Sequence, residues 1–333
     1  MCSTSGGVDD ENRHANAGVS ASGRPAHSLV DSHVHLVDFL QDSDGVHALL
    51  EQMDDANIAR AVVFGLPVVK KWNAFEPREP RYYLDDNAKC YYYSYTDQLV
   101  IAAYESLAPE QRARVAPLIC GFNPTDMHGI RHVERMFRES PHWRGVGEVL
   151  LRHDDLTNLT LDETARANHP AMRPIYEFCE LHQLPIVLHQ NSSSVGCDRD
   201  YVYLHELEEV LGRHDKLTVV WAHCGLSRRV RHDNYHEMIE RMLNAYPRLH
   251  VDVSWVGYDD VMCLGGSIRS EWLGVIERFA DRVLLGSDLV GHFAALGPTM
   301  RRFDDLLAGL TEAARPKVAR SNAERLFFEP ART

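Results

Sequence analysis

Between residues 29 and 288, short apolar runs alternate with longer amphipathic stretches, and this alternation most narrows the folds open to the chain. Eight runs have strand length: 29–33, 61–66, 115–121, 145–151, 184–189, 217–223, 249–254 and 282–288. The run from Ala61 to Leu66 is apolar throughout, which suits a strand covered on both faces, as parallel strands are when helices cross over them. Repeated strand–helix units build parallel sheets, and eight of them fit a closed (β/α)8 TIM-like barrel. An open doubly wound sheet with a second domain shares the alternation. No Gly-x-Gly-x-x-Gly turn follows the first strand, however, which weakens the dinucleotide-binding form of that alternative.

Residues 1–27 carry almost no large apolar side chains and are expected to be a disordered tail. Residues 28–333 are expected to form one catalytic barrel, long enough to bury its core without disulfides. A long insertion at 67–95 holds Lys70, Lys71, Trp72 and six tyrosines, and loops of that length usually bind something. A last helix, 315–328, is expected against the outside or base of the barrel. The formal charge of -13, from 48 acidic against 35 basic residues, argues against a nucleic-acid surface and an anionic membrane. Seven scattered cysteines read as reduced core thiols. The N-terminal residues lack a secretory apolar stretch, and no run approaches the roughly 18 residues of a membrane span. The expectation is a soluble cytoplasmic protein with a small-molecule partner and, as is common for large barrels, self-association.

Chemistry concentrates where the runs end. In Asp31-Ser32-His33-Val34-His35 the two imidazoles fall on one face of a strand, where they can converge on one divalent ion. Glu148 sits inside an otherwise apolar run, and a buried carboxylate demands a partner. His189, His223 and Asp288 close the fifth, sixth and eighth runs. A lone strand-end histidine is usually a hydrogen-bonded core residue and a lone aspartate often a cap. In a barrel, however, all strand C-terminal ends share one face, so six such residues would meet at one mouth. Four imidazoles and two carboxylates suffice for one or two divalent ions; zinc is the first expectation, and Mn2+ or Fe2+ suit the same ligands.

These residues also carry a family likeness. The chain resembles the amidohydrolase superfamily, and within it the amidohydrolase-related metal-dependent hydrolases, over about residues 29 to 328. The matching features are the His33–His35 pair, Gly147-Glu148, His189, His223-Cys224-Gly225, Gly286-Ser287-Asp288 and the closing Ser321-Asn322-Ala323-Glu324-Arg325-Leu326-Phe327. The resemblance implies a distorted barrel in which His33, His35 and Asp288 hold one metal, with His189 and His223 helping with that metal or a second. Some relatives bridge two ions with a carboxylated lysine on strand four; this chain has no lysine there, and Glu148 resembles the glutamate that replaces it in other branches.

The expected reaction is hydrolysis of a C–N or C–O bond in an amide, lactam, ester or lactone. Asp288 is the expected proton carrier and His223 a ligand or oxyanion stabiliser. Lys70, Arg152 and Arg228, with the nearby Lys71, Arg229 and Arg231, follow strand ends and could hold a substrate anion, although loop cations are usually solvated. Trp72 and Trp255 could line an aromatic pocket and Asn191 could hydrogen-bond substrate, with packing and turn formation as the plainer readings. Cys224 has no evident base beside it and reads as a core thiol. The first rival is a single-metal decarboxylase acting on a carboxylated ring, as in the aminocarboxymuconate semialdehyde decarboxylase group that shares this fold. An iron or manganese oxygenase and a non-catalytic metal-binding subunit are the others.

Overall fold

The structure is a computed structural model that describes residues 27–72, 78–80, 82–86, 88–157, 160, 163–197, 200–228 and 232–329. The expected tail lies outside these except for His27, as do Arg229 and Arg231. In chain order the first strands are β1 (Leu29–His35), β2 (Ile58–Phe64), β3 (Val68–Lys70), β4 (Cys90–Tyr92), β5 (Val115–Pro117) and β6 (Val146–Leu151). They are followed by β7 (Ile186–Gln190), β8 (Val219–Trp221), β9 (Leu249–Asp252), β10 (Cys263–Leu264), β11 (Ser267–Ile268), β12 (Val283–Leu284) and β13 (Leu289–Val290).

Nine of these strands make the eight positions of the barrel wall, with β12 and β13 as the two pieces of the eighth. Parallel pairing gives one sheet in the order β13-β1-β2-β5 and another in the order β12-β9-β8-β7-β6. Two seams join them. At one, Ile119 N donates to Gly145 O (3.1 Å) and Gly147 N to Ile119 O (2.7 Å); at the other, Ser32 N donates to Leu285 O (2.8 Å) and Asp288 N to His33 O (2.9 Å). The second seam needs Gly286, because a Cβ there would lie 2.5 Å from His33 Cβ. The result is the expected TIM-type architecture.

Alternation along each strand sorts side chains into two layers. Val30, Val62, Phe64, Ala116, Val187, Val220 and Leu284 fill the barrel interior. Leu29, Ala61, Val63, Ile186, Leu188, Val219 and Val251 face outward into a larger core shared with helices such as Val46–Asp55, Arg173–His182 and Tyr235–Ala245. Because the interior below is aliphatic, each strand's next inward position reaches the mouth: Val187 is followed by His189, and Leu284 lies below Asp288. The last helix settles at the base. It begins as a π-helical turn, Lys317–Ser321, and continues as Asn322–Phe327. Ala323 and Phe327 plug the interior layer, and Asn322 Nδ2 donates to Ala280 O (2.6 Å) and Val283 O (2.9 Å).

Several runs end sooner than their apolar length suggests, the third as early as Pro117, and two of them do so through left-handed backbone. The sixth stops at Trp221 and turns through His223, and the eighth breaks between β12 and β13, with His223 and Asp288 at φ 55° and 57°. The left-handed backbone lifts both side chains out of strand geometry. The insertion at 67–95 contributes an antiparallel hairpin, β3 with β4. No helix among the described residues is long and apolar enough to cross a membrane.

Burial, aided by the charges of Arg325, Arg282 and Arg248, pulls the pKa of His250 on β9 down to about 4 from 6.5, although its Nδ1–H donates to Arg248 O. A histidine favoured in its neutral form stabilises the fold fully above its unfolded pKa and loses that contribution as pH falls toward the folded one. The stability of the wild type relative to His250→Gln should therefore shrink by about 2 kcal/mol between pH 7.5 and pH 5. Urea unfolding of both proteins at the two pH values measures it.

Candidate metal centre

The six strand-end residues converge. His33 and His35 leave β1 on one face; Glu148, in the middle of β6, stands among them with 1 % of its surface exposed. Glu148 Oε2 lies 3.6 Å from His33 Nε2 and 3.3 Å from His35 Nε2. Glu148 Oε1 lies 3.2 Å from His189 Nδ1 and 3.3 Å from His223 Nε2. Asp288 Oδ1 completes the first side at 3.4 Å from both His33 Nε2 and His35 Nε2. Three groups have ligand atoms within 4.8 Å of one another: the clusters His33–His35–Asp288 and Glu148–His189–His223, and His33–His223–Asp252, which links a histidine of each.

The outer ring nitrogens are held as well. His33 Nδ1 is 3.1 Å from Asp252 Oδ2, His35 Nδ1 is 2.8 Å from Gly65 O, and His223 Nδ1 is 2.8 Å from Ser254 Oγ. Asp252 also accepts from the backbone N–H groups of His223 (2.9 Å) and Ser254 (3.1 Å) and from the Ser254 hydroxyl. Each anchored Nδ1–H leaves Nε2 with its lone pair toward the centre, the arrangement typical of metal-binding histidines. His189 is reversed: Nδ1 faces Glu148, and Nε2 lies 3.1 Å from Asn191 Oδ1.

Electrostatics favour positive charge here. Burial works against the imidazolium of His33, but Glu148 and Asp252 outweigh it and hold its pKa well above the ordinary value. Burial is likewise overcome at His35, which Asp288 and Glu148 raise to about 9. Against the same burial, His33 and the neighbouring imidazoles keep Glu148 well below the usual carboxylate range, and His35 with its neighbours lowers Asp288. A mouth that stabilises protons on imidazoles this way stabilises a cation in their place.

The residues expected to touch substrate divide into two groups. Trp255, at φ 63°, has its ring centroid 5.1 Å from that of His223 and 6.0 Å from that of His189. Arg228 lies over Trp255 at 5.1 Å and donates through Nη2 to Tyr82 Oη (3.1 Å). Asn191 lies beside His189, as above. Lys70 and Arg152 are committed elsewhere. The buried Lys70 ammonium reaches Tyr83 O (3.0 Å), Asp86 O (2.8 Å) and Asp86 Oδ1 (2.8 Å), fastening the insertion to its hairpin. Arg152 pairs with Glu206, with Nε donating to Oε2 at 3.0 Å, and covers the Tyr203 ring at 4.1 Å. Trp72 is half exposed.

Three neighbours escaped the sequence reading, Asp252, Ser254 and His153; a fourth, Tyr82, is one of the insertion's six tyrosines, expected to line a pocket or anchor the loop. Asp252 carried a usable signal, an acid within an apolar run like Glu148. His153 stacks on His189 at 4.6 Å, and Tyr82, kept neutral by burial and by Tyr83 and Asp288, belongs to the insertion. His153 does not announce itself by pattern. Cys224 is buried, which raises its thiol pKa well above normal, as a core thiol requires.

A family model described as amidohydrolase matches residues 30–328. No curated protein sequence matches the chain. Among solved structures, a TIM-barrel protein from Bordetella bronchiseptica superposes with a TM-score of 0.58 at 16% identity, covering 90% of this chain and 97% of that one. An amidohydrolase from Burkholderia multivorans with bound zinc gives 0.56 at 15% identity, covering 91% and 100%. A 2,6-dihydroxybenzoate decarboxylase in complex with 2,6-dihydroxybenzoate gives 0.51 at 17% identity, covering 90% and 99%. At such identities these three likenesses concern the fold.

Asp252 supports a histidine in each cluster, so Asp252→Ala should weaken zinc binding by roughly 10- to 100-fold, the usual cost of losing an outer-shell partner. Competition against a chromogenic chelator measures the change.

Proposed function

We propose that this chain, which belongs to the amidohydrolase family, is a two-metal hydrolase that cleaves a C–N or C–O bond of a small amide, lactam, ester or lactone. The observation that carries this reading is the division of Glu148, with Oε2 turned to His33 and His35 and Oε1 to His189 and His223. Divalent ions fit the donor set. His33 Nε2, in a fully buried ring, has no hydrogen-bond partner among the described residues and points at the shared centre. On this reading His33, His35 and Asp288 would hold one ion and His189 and His223 a second, with Glu148 common to both. Zinc suits nitrogen and carboxylate ligands of this kind, as do Mn2+ and Fe2+.

When bound, such ions lower the pKa of a coordinated water from about 16 toward about 7 and polarise the bond under attack. The protein supplies the rest. Asp288, ionised at neutral pH, accepts the proton of the attacking water and passes it to the leaving nitrogen or oxygen, so that hydroxyl ends on the acyl carbon and hydrogen on the leaving atom. His223 serves as a ligand, because its Nε2 is turned to Glu148 and its Nδ1 is tied to Ser254. Trp255 and Arg228 border the same mouth and suit a substrate that is aromatic or anionic. Among the described residues four buried and two half-buried cysteines are free thiols, which supports a reducing, cytoplasmic setting.

Elemental analysis should find two ions per chain, and a chelator should abolish hydrolysis of a lactone and ester panel until zinc is restored. Full turnover in verified metal-free protein, or a single ion accompanied by carbon dioxide release from carboxylated rings, would overturn the assignment. Asp288→Asn should lower kcat by about 10²- to 10⁴-fold, the usual yield of a general acid–base group. Steady-state kinetics on the first active substrate measures it.

A further inference from the structure

His189 is the exception among the four imidazoles. His33, His35 and His223 present Nε2 to the centre and anchor Nδ1, whereas His189 presents Nδ1 to Glu148 Oε1 at 3.2 Å. Its outward Nε2 meets the Asn191 side-chain oxygen at 3.1 Å, with both residues buried. The two residues are close in the chain: His189 is the next-to-last residue of β7, and Asn191 follows directly after the strand. Both ring nitrogens thus face oxygen acceptors, and a neutral imidazole carries one N–H; with a cation on the Glu148 side, Nδ1 must offer its lone pair and the hydrogen goes to Nε2, where the Asn191 oxygen accepts it. We infer that Asn191 is a positioning residue, holding His189 in the tautomer and orientation that complete the Glu148–His189–His223 half of the centre.

The inference rests on the two-ion reading above but is separable from it. Asn191 touches no member of the His33–His35–Asp288 group in any hydrogen bond among the described residues, and its side-chain oxygen is engaged by His189. His153 (4.6 Å, tilted) and Trp255 (6.0 Å, edge to face) pack against the same imidazole. Loss of Asn191 would leave the ring free to exchange tautomers, so one half of the centre should suffer and the other should not.

The test is zinc and cobalt binding to Asn191→Leu, which keeps the volume and removes the acceptor, and to Asn191→Asp, which keeps an acceptor oxygen. In Asn191→Leu one of the two binding steps should lose about 10- to 100-fold in affinity with the other unchanged, and the visible absorption of the cobalt bound in that step should weaken with it. Asn191→Asp should restore both. Thermal melts of the chelator-stripped proteins confirm that the variants are folded; if Asn191→Leu is not, Asn191→Ser carries the same comparison. Unchanged affinity in every step, or a higher KM with metal binding intact, would overturn the inference and make Asn191 a substrate contact. Because binding is read without turnover, absence of hydrolysis in the wild type would count against the proposed reaction and leave the role of Asn191 standing.

Discussion

The site depends on charge balance among seven ionisable side chains, His33, His35, Glu148, His189, His223, Asp252 and Asp288, gathered at the mouth of a barrel. An ionised carboxylate withdrawn from water costs several kcal/mol unless a positive or donating group compensates it. Three carboxylates here are matched against four imidazoles, and Glu148 touches all four. That carboxylate is the point through which the two clusters are coupled. Breaking up the group would leave uncompensated charge in a buried space, so the barrel can hold these residues only in an arrangement close to the one observed.

Holding them there strains the backbone locally. Arg152, His223, Cys224, Trp255 and Asp288 all lie at φ between 49° and 63°, and all follow barrel strands at the mouth. A left-handed conformation costs a non-glycine residue about 1–2 kcal/mol. Such strain persists only where the surroundings over-determine it. Here the surroundings are the two-layer core: the aliphatic interior below and the apolar strand–helix interface outside. The seam between Leu285 and Ser32 and the bond from Asp288 N to His33 O then fix the eighth strand against the first, bringing Asp288 to the His33–His35 pair.

The insertion between β2 and the helix Thr96–Glu105 has a different footing. Its hairpin is held by a small apolar cluster, in which Val68, Tyr83 and Cys90 pack with Phe39, Leu150 and Leu156, and by a buried lysine, with Lys70 satisfying two carbonyls and the Asp86 carboxylate. That anchoring places Tyr82 beside Arg228 at the mouth. A residue that looked in sequence like a substrate contact is thus a structural tie, and the aromatic neighbour it positions is the one that reaches the site.

Much of this was legible in the chain. Period-two alternation fixes which residues of a strand share a face, so His33 with His35, and Val187 with His189, could be assigned to one side without any tertiary information. The parallel-strand pattern then implied a common mouth for Glu148, His189, His223 and Asp288. Partners were not legible, because they are set by distances between segments remote in sequence. Asp252 meets His33 across 219 positions and Ser254 meets His223 across 31, while Lys70 and Arg152 find counter-charges that no local pattern specifies. Which side chains could point at the centre was already settled along each strand, since the covalent geometry of a strand dictates it. The tertiary structure alone decided which ring nitrogen each one offers and which cations are already spent, since both depend on which strands and loops become neighbours when the barrel closes.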